Sequence, residues 1–112
     1  MNEIASALSA LDALRIVYSK DGFKALPTSH SFATYRVAHR AALGADGFAL
    51  YWDVTYEIRL FYRDAKSDAD RLIERELEQA YRMLDSLESD YYYIDTDKLD
   101  VTVYAFKCEE DF

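Results

Sequence analysis

The side chains able to do chemistry are few and scattered. His30 and His39 are the only histidines, and their separation matches no zinc-ligand pattern. Asp64, Asp68 and Asp70 imitate a calcium loop, as do Asp95, Asp97 and Asp100. Neither set has the central glycine or the closing glutamate that such a loop needs. Helix capping accounts for the first set, and a solvated turn for the second. Glu74 and Glu78 are one helical turn apart and could serve acid–base chemistry if a cleft shifted their pKa values. With Arg75 and Arg82 beside them, they read as a solvated helix face instead. The glycines at 22, 44 and 47 are too dispersed for a phosphate loop. Cys108 is the single cysteine, which precludes a disulfide within the chain and a Cys-based zinc site. The carboxylates around it disfavour its thiolate. The expectation is therefore no enzyme, no catalytic residue, no metal and no cofactor.

The chain that must position these residues is 112 long, which predicts a single domain over 1–112. It is 51% hydrophobic with 3 Gly and 1 Pro, so it folds rather than staying disordered. No apolar run approaches the roughly 20 residues of a membrane span. Met1-Asn2-Glu3-Ile4 lacks the basic and apolar stretches of a secretory signal, and a cytoplasmic place of synthesis is expected. The net charge is -8, and residues 85–112 hold nearly all of the excess, with Lys98 and Lys107 against nine carboxylates. Such a surface repels a phosphate backbone, so no specific nucleic-acid binding is expected. Ten tyrosines are too many for so small a core and hint at self-association.

Helical spacing of Ile4, Leu8 and Leu11, with Asn2 as cap, predicts a short first helix. Leu14 to Tyr18 reads as a small strand. A loop over 19–31 follows, pinned by Phe23 and Leu26, and then a strand from Ser31 to His39. Arg40 to Gly47 reads as a connection ending in the hairpin signal Asp46-Gly47. From Trp52 every second residue is apolar: Trp52, Val54, Tyr56, Ile58, Leu60 and Tyr62. This period of two marks a long strand with one face on the core. Ser67, with Asp70 three residues on, caps a helix running to about Leu87. Its stripe Leu72, Ile73, Leu77 and Leu84 is expected against Trp52, Val54, Ile58 and Leu60. Tyr91 to Ile94 and Leu99 to Phe106 form a closing hairpin, and residues 107–112 are expected to be mobile. The order is α-β-β-β-α-β-β. The fold class is α+β, a mainly antiparallel sheet with helices packed on one face.

The other face of that sheet is the candidate interface. Phe61, Tyr104 and Phe106 are read as sharing it with Arg59, Arg63 and Thr102, an aromatic centre with a charged rim. The alternative is a second small core under residues 19–31.

The ordered segments resemble a known family, the small tail-terminator or tail-completion proteins of long-tailed bacteriophages and prophages. The resemblance covers roughly residues 14–106. It rests on Leu14-Arg15-Ile16-Val17-Tyr18, on Leu26-Pro27 before Phe32-Ala33-Thr34-Tyr35, and on the turn Ala45-Asp46-Gly47. Tyr56-Glu57-Ile58-Arg59-Leu60-Phe61-Tyr62 then runs through Arg63-Asp64-Ala65-Lys66-Ser67-Asp68 into an acidic helix. Tyr91 to Ile94 and Val101-Thr102-Val103-Tyr104-Ala105-Phe106 close the pattern. The loop over 19–31 is poorer in proline and aromatics than the family's. The resemblance implies a homo-oligomeric ring, usually a hexamer, at the head-proximal end of the virion's tail. Such a ring caps the tail tube, ends its polymerisation, and gives a head-completion or connector protein its docking surface, with DNA passing through. Phe61→Glu would then fold normally and lose capping. The competing class is a small α+β regulatory or ligand-binding domain with a pocket between sheet and helices.

Overall fold

The alternation from Trp52 to Tyr62 becomes the inner face of the longest strand. In the computed structural model, which describes residues 3–45, 47–63 and 66–111, the elements follow the predicted order. They are α1 (Glu3–Ala13), β1 (Val17–Lys20), β2 (Ser31–Ala45), β3 (Phe48–Arg63), α2 (Asp68–Tyr81), β4 (Asp85–Ile94) and β5 (Leu99–Asp111). The five strands form one sheet in the order β1-β2-β3-β5-β4. Every pairing is antiparallel except β1 with β2. This is the α+β fold that the patterning predicts.

The main core lies between the helices and one sheet face. Ile4, Ala7 and Leu11 of α1 and Leu77 and Tyr81 of α2 meet Val54, Ile58, Leu60, Tyr62, Tyr104 and Phe106. The Tyr81 hydroxyl donates to the Ala7 carbonyl at 2.9 Å, so the two helices are tied as well as packed. Ser67 and Asp70 form a reciprocal capping box at the start of α2, which satisfies two backbone donors there.

Four expectations are corrected. α2 ends at Tyr81, not near Leu87, because Ser86 takes a left-handed φ of 54° and residues from Asp85 pair with β5 instead. Leu84 and Leu87 still touch the core, but from the turn and from β4. The inward stripe of α2 is Asp70, Glu74, Leu77 and Tyr81, so Leu72 points to solvent at 58% exposure and Ile73 is half-buried. The stretch 40–45 is strand rather than connection, since β3 returns along it as far as Phe48. Residues 107–111 are not loose: they pair with β3 from Thr55 back to Tyr51, and Cys108 is buried opposite Val54. Asn2 as a cap, Asp46 in the turn, Asp64, Ala65 and Phe112 lie outside the described residues.

The molecule is elongated, 53 × 27 × 21 Å, with a radius of gyration of 15.4 Å. A compact domain of this length would have about 13 Å. The excess is an arm: the far ends of β2 and β3, flanked by the end of β5, run past Val54 and Cys108, the last buried pair among the residues whose side chains are described.

Candidate functional site

The register of β3 with β5 decides which residues can form a surface. Ile58 faces Tyr104, and Tyr56 faces Phe106, so both aromatics point toward the helices. Both are fully buried there, against Tyr81. Tyr104 and Phe106 are therefore core residues, not interface residues, and they lie across the sheet from Phe61. Leu99 and Val101 take the opposite face, with Phe61 paired to Val101.

On that second face a small apolar cluster forms, as the alternative reading has it. Phe32, Leu99 and Val101 are buried, with Phe23, Phe61, Tyr92, Ile94 and Val103 packed around them. Phe61 stacks on Phe32 at 5.0 Å between ring centroids, and Phe23 meets Phe32 edge-on at 5.8 Å. Loop 21–30 covers this cluster through Phe23. Leu26, expected to help pin the loop, is half exposed. Arg63 holds the loop, donating from Nε to the Ser29 carbonyl at 3.0 Å and from its guanidinium to the Pro27 carbonyl. Its backbone amide also donates to His30. Arg59 instead donates to Glu57 at 2.6 Å, and Arg36 donates to the same oxygen at 3.2 Å. Burial alone would raise the Glu57 carboxyl, but these two hydrogen bonds outweigh it and hold the group below its ordinary value. Of the five residues expected at an interface, Phe61 and Arg63 thus serve the second cluster, and Arg59 lies on the open sheet surface.

A polar cluster under α2 was not legible in advance. Lys66 Nζ donates to Glu74 at 2.9 Å and to Thr102 Oγ1 at 3.0 Å, and Thr102 donates to Glu74. Asp100 accepts from the Lys66 amide at 2.7 Å and from the Tyr91 hydroxyl. Glu74 and Asp100 are therefore buried and paired, not the solvated residues expected from their helix face and turn. The hydroxyls of Tyr62 and Tyr104 are buried with no hydrogen-bond partner among the described residues. Burial first, then the Glu74 charge, pushes both phenols well above their ordinary value. A shallow cavity of about 530 Å³ opens beside this cluster, lined by Lys66, Arg71, Glu74, Tyr91 and Asp100. The one sequence signal was the spacing of Asp70, Glu74, Leu77 and Tyr81, which fits a helix face as well as the all-apolar stripe does.

His30 and His39 are far apart in role: His30 bonds Asp70, while His39 is exposed on β2 opposite Thr55. No group of three His, Cys, Asp or Glu side chains among the described residues is placed to hold a metal ion. No described helix is long and apolar enough to cross a membrane.

The edges of the sheet are the remaining surface. β1 covers only Phe32–Tyr35 of β2, so residues 36–45 form a free edge, and β4 forms the other. No protein-family model matches the chain, and no curated protein matches it.

Proposed function

We propose that this chain is a structural subunit of a phage or prophage tail. It forms a ring of copies, usually six in the family it resembles, that caps the tail tube, ends its growth and joins tail to head. The observation that supports this reading is the pair of uncovered strand edges, residues 36–45 of β2 and β4, together with the arm that extends beyond the core. An isolated domain gains nothing from a ribbon that buries little of itself, whereas a subunit presents such a ribbon to its neighbours. A ring also needs two different surfaces on each copy, and the two edges differ in sequence and charge. The net charge of -8 suits a channel through which DNA passes without adhering. The partners are further copies, the tail-tube protein and a head-completion or connector protein. The place of work is the head-proximal end of the tail, after synthesis in the host cytoplasm. No catalytic step is assigned to the chain.

A second reading, a small ligand-binding domain, is favoured by the cavity beside Lys66. One experiment separates the two. The protein is mixed with its tail-tube protein, and tube lengths are counted by electron microscopy. Rings at tube ends and shortened tubes support the first reading. Tubes that grow unchanged, together with stoichiometric binding of a small ligand that is lost in the exposed cavity variant Arg71→Met, support the second.

A further inference from the structure

The two free edges are matched in length and opposite in charge. β4 is 10 residues long, the same length as the free stretch 36–45 of β2. β4 carries Asp85, Glu88 and Asp90 and no basic residue; stretch 36–45 carries Arg36, His39 and Arg40 and no acidic one. Arg40, Asp85, Glu88 and Asp90 are exposed, while the exposed Arg36 is bonded to Glu57 of its own copy. Exposed apolar side chains accompany them, Val37 and Leu43 on one edge and Tyr91 and Tyr93 on the other. Unpaired edges are templates for further strands, and the register irregularities (two in 36–45, one in β4) and charges of one sign limit what each edge accepts.

From this we infer that β4 of one copy adds to residues 36–45 of the next, antiparallel, continuing the sheet from copy to copy. This names the self-contact of the ring proposed above and rests on that reading. The charge signs select the pairing. In the full-length antiparallel register Arg40 of one copy lies directly opposite Asp90 of the next, an unlike pair that stabilises this contact, whereas joining two like edges gathers charges of one sign. The pairing that charge favours is head-to-tail, the kind of contact that builds rings. The strand directions agree: β2 runs antiparallel to β3, β3 to β5 and β5 to β4, so a rotated copy brings its β2 antiparallel to β4.

The geometry also closes. Within one copy the middle of β4 lies level with Thr34, through Asp90, Val103 and Arg59. β1 blocks that level on the neighbour, so β4 must shift up by roughly six residues, about 20 Å along the strands. Four strands, β2-β3-β5-β4, span about 19 Å across the sheet. A pure rotation therefore tilts the strands by about 45° to the ring axis, at the upper end of the 35–45° typical of closed sheets.

The test uses the full chain and hydrogen exchange read by mass spectrometry as protein concentration rises to millimolar. Wild type is expected to slow exchange at least about tenfold over both 36–45 and β4 together. Two charge-reversed variants at exposed positions, His39→Glu/Arg40→Glu and Glu88→Lys/Asp90→Lys, are each expected to lose that protection while keeping wild-type circular dichroism. Mixed one to one, they are expected to regain it, since each then offers the other an edge of opposite sign. Edges that stay unprotected at every concentration overturn the inference, as does protection of one edge alone or a mixture that stays unpaired. The tube experiment fails or succeeds separately. Capped tubes with unprotected edges sink this contact and leave the functional reading standing; paired edges with uncapped tubes do the reverse.

Discussion

His30 Nε2 lies 2.6 Å from Asp70 Oδ2, which fastens the loop before β2 to the first turn of α2 across 40 residues of sequence. The same carboxylate oxygen accepts from the Ser67 amide and hydroxyl, each at 2.9 Å. The helix cap and the loop clasp are thus one group. Burial alone would raise the Asp70 carboxyl, but the bonds from His30 and Ser67 outweigh it and hold the group below its ordinary value.

A carboxyl depressed in the folded state stabilises above its unfolded value, about pH 4, and that contribution is lost as pH falls through the folded value. Asp70→Asn is expected to lower stability at pH 7 and to flatten the acid limb of the stability curve below pH ~4. Urea unfolding across that range measures it. An acid limb as steep as in wild type would refute the role of Asp70.

Tyr56 gives the opposite dependence. Burial, then the hydrogen bond and charge of Glu110, push its phenol up to about 12. A raised pKa stabilises fully below the unfolded value of about 10 and is lost as pH climbs through the folded value. Tyr56→Phe is expected to remove part of the alkaline loss of stability between pH ~10 and ~12. Melts in that window that are identical in both proteins would count against it.

Leu77→Ala is expected to cost about 2–5 kcal/mol, as truncations of fully buried leucines do. Leu72→Ala, on the exposed side of the same helix, is expected to stay within about 0.5 kcal/mol. Chemical denaturation of the pair checks the orientation of α2, and equal costs would show it wrong.

Phe61→Glu is now expected to destabilise by more than about 2 kcal/mol, because it sets a carboxylate in the stack with Phe32. Thermal melts decide it. A fully stable variant would return Phe61 to the surface reading.

Lys66→Ala is expected to cost about 3–5 kcal/mol, since it strands Glu74 in a buried site without its cation. The double change Lys66→Met/Glu74→Leu should recover most of that loss, because it removes both charges together. Recovery of none of it would mean that the pair acts through packing rather than charge.

Local pattern was enough for much of this molecule. The alternation from Trp52 to Tyr62 fixes a strand and its inner face, because side chains on a strand alternate strictly. Ser67 and Asp70 announce a helix start, because the cap is a contact between near neighbours in sequence. Element order and fold class followed from such signals. What local pattern could not supply was anything dependent on a partner strand. The sides taken by Tyr104 and Phe106 follow from register against β3, which no residue of β5 encodes alone. The inward rotation of α2 depends on Lys66, Thr102 and His30 supplying partners for Glu74 and Asp70, groups that read as solvated until the fold brings those partners to them. Leu84 and Leu87 kept helical spacing while the chain left the helix, because β5 offered residues from Asp85 onward a ladder of hydrogen bonds. The two free edges likewise exist only once the short β1 covers one end of β2 and leaves the rest bare.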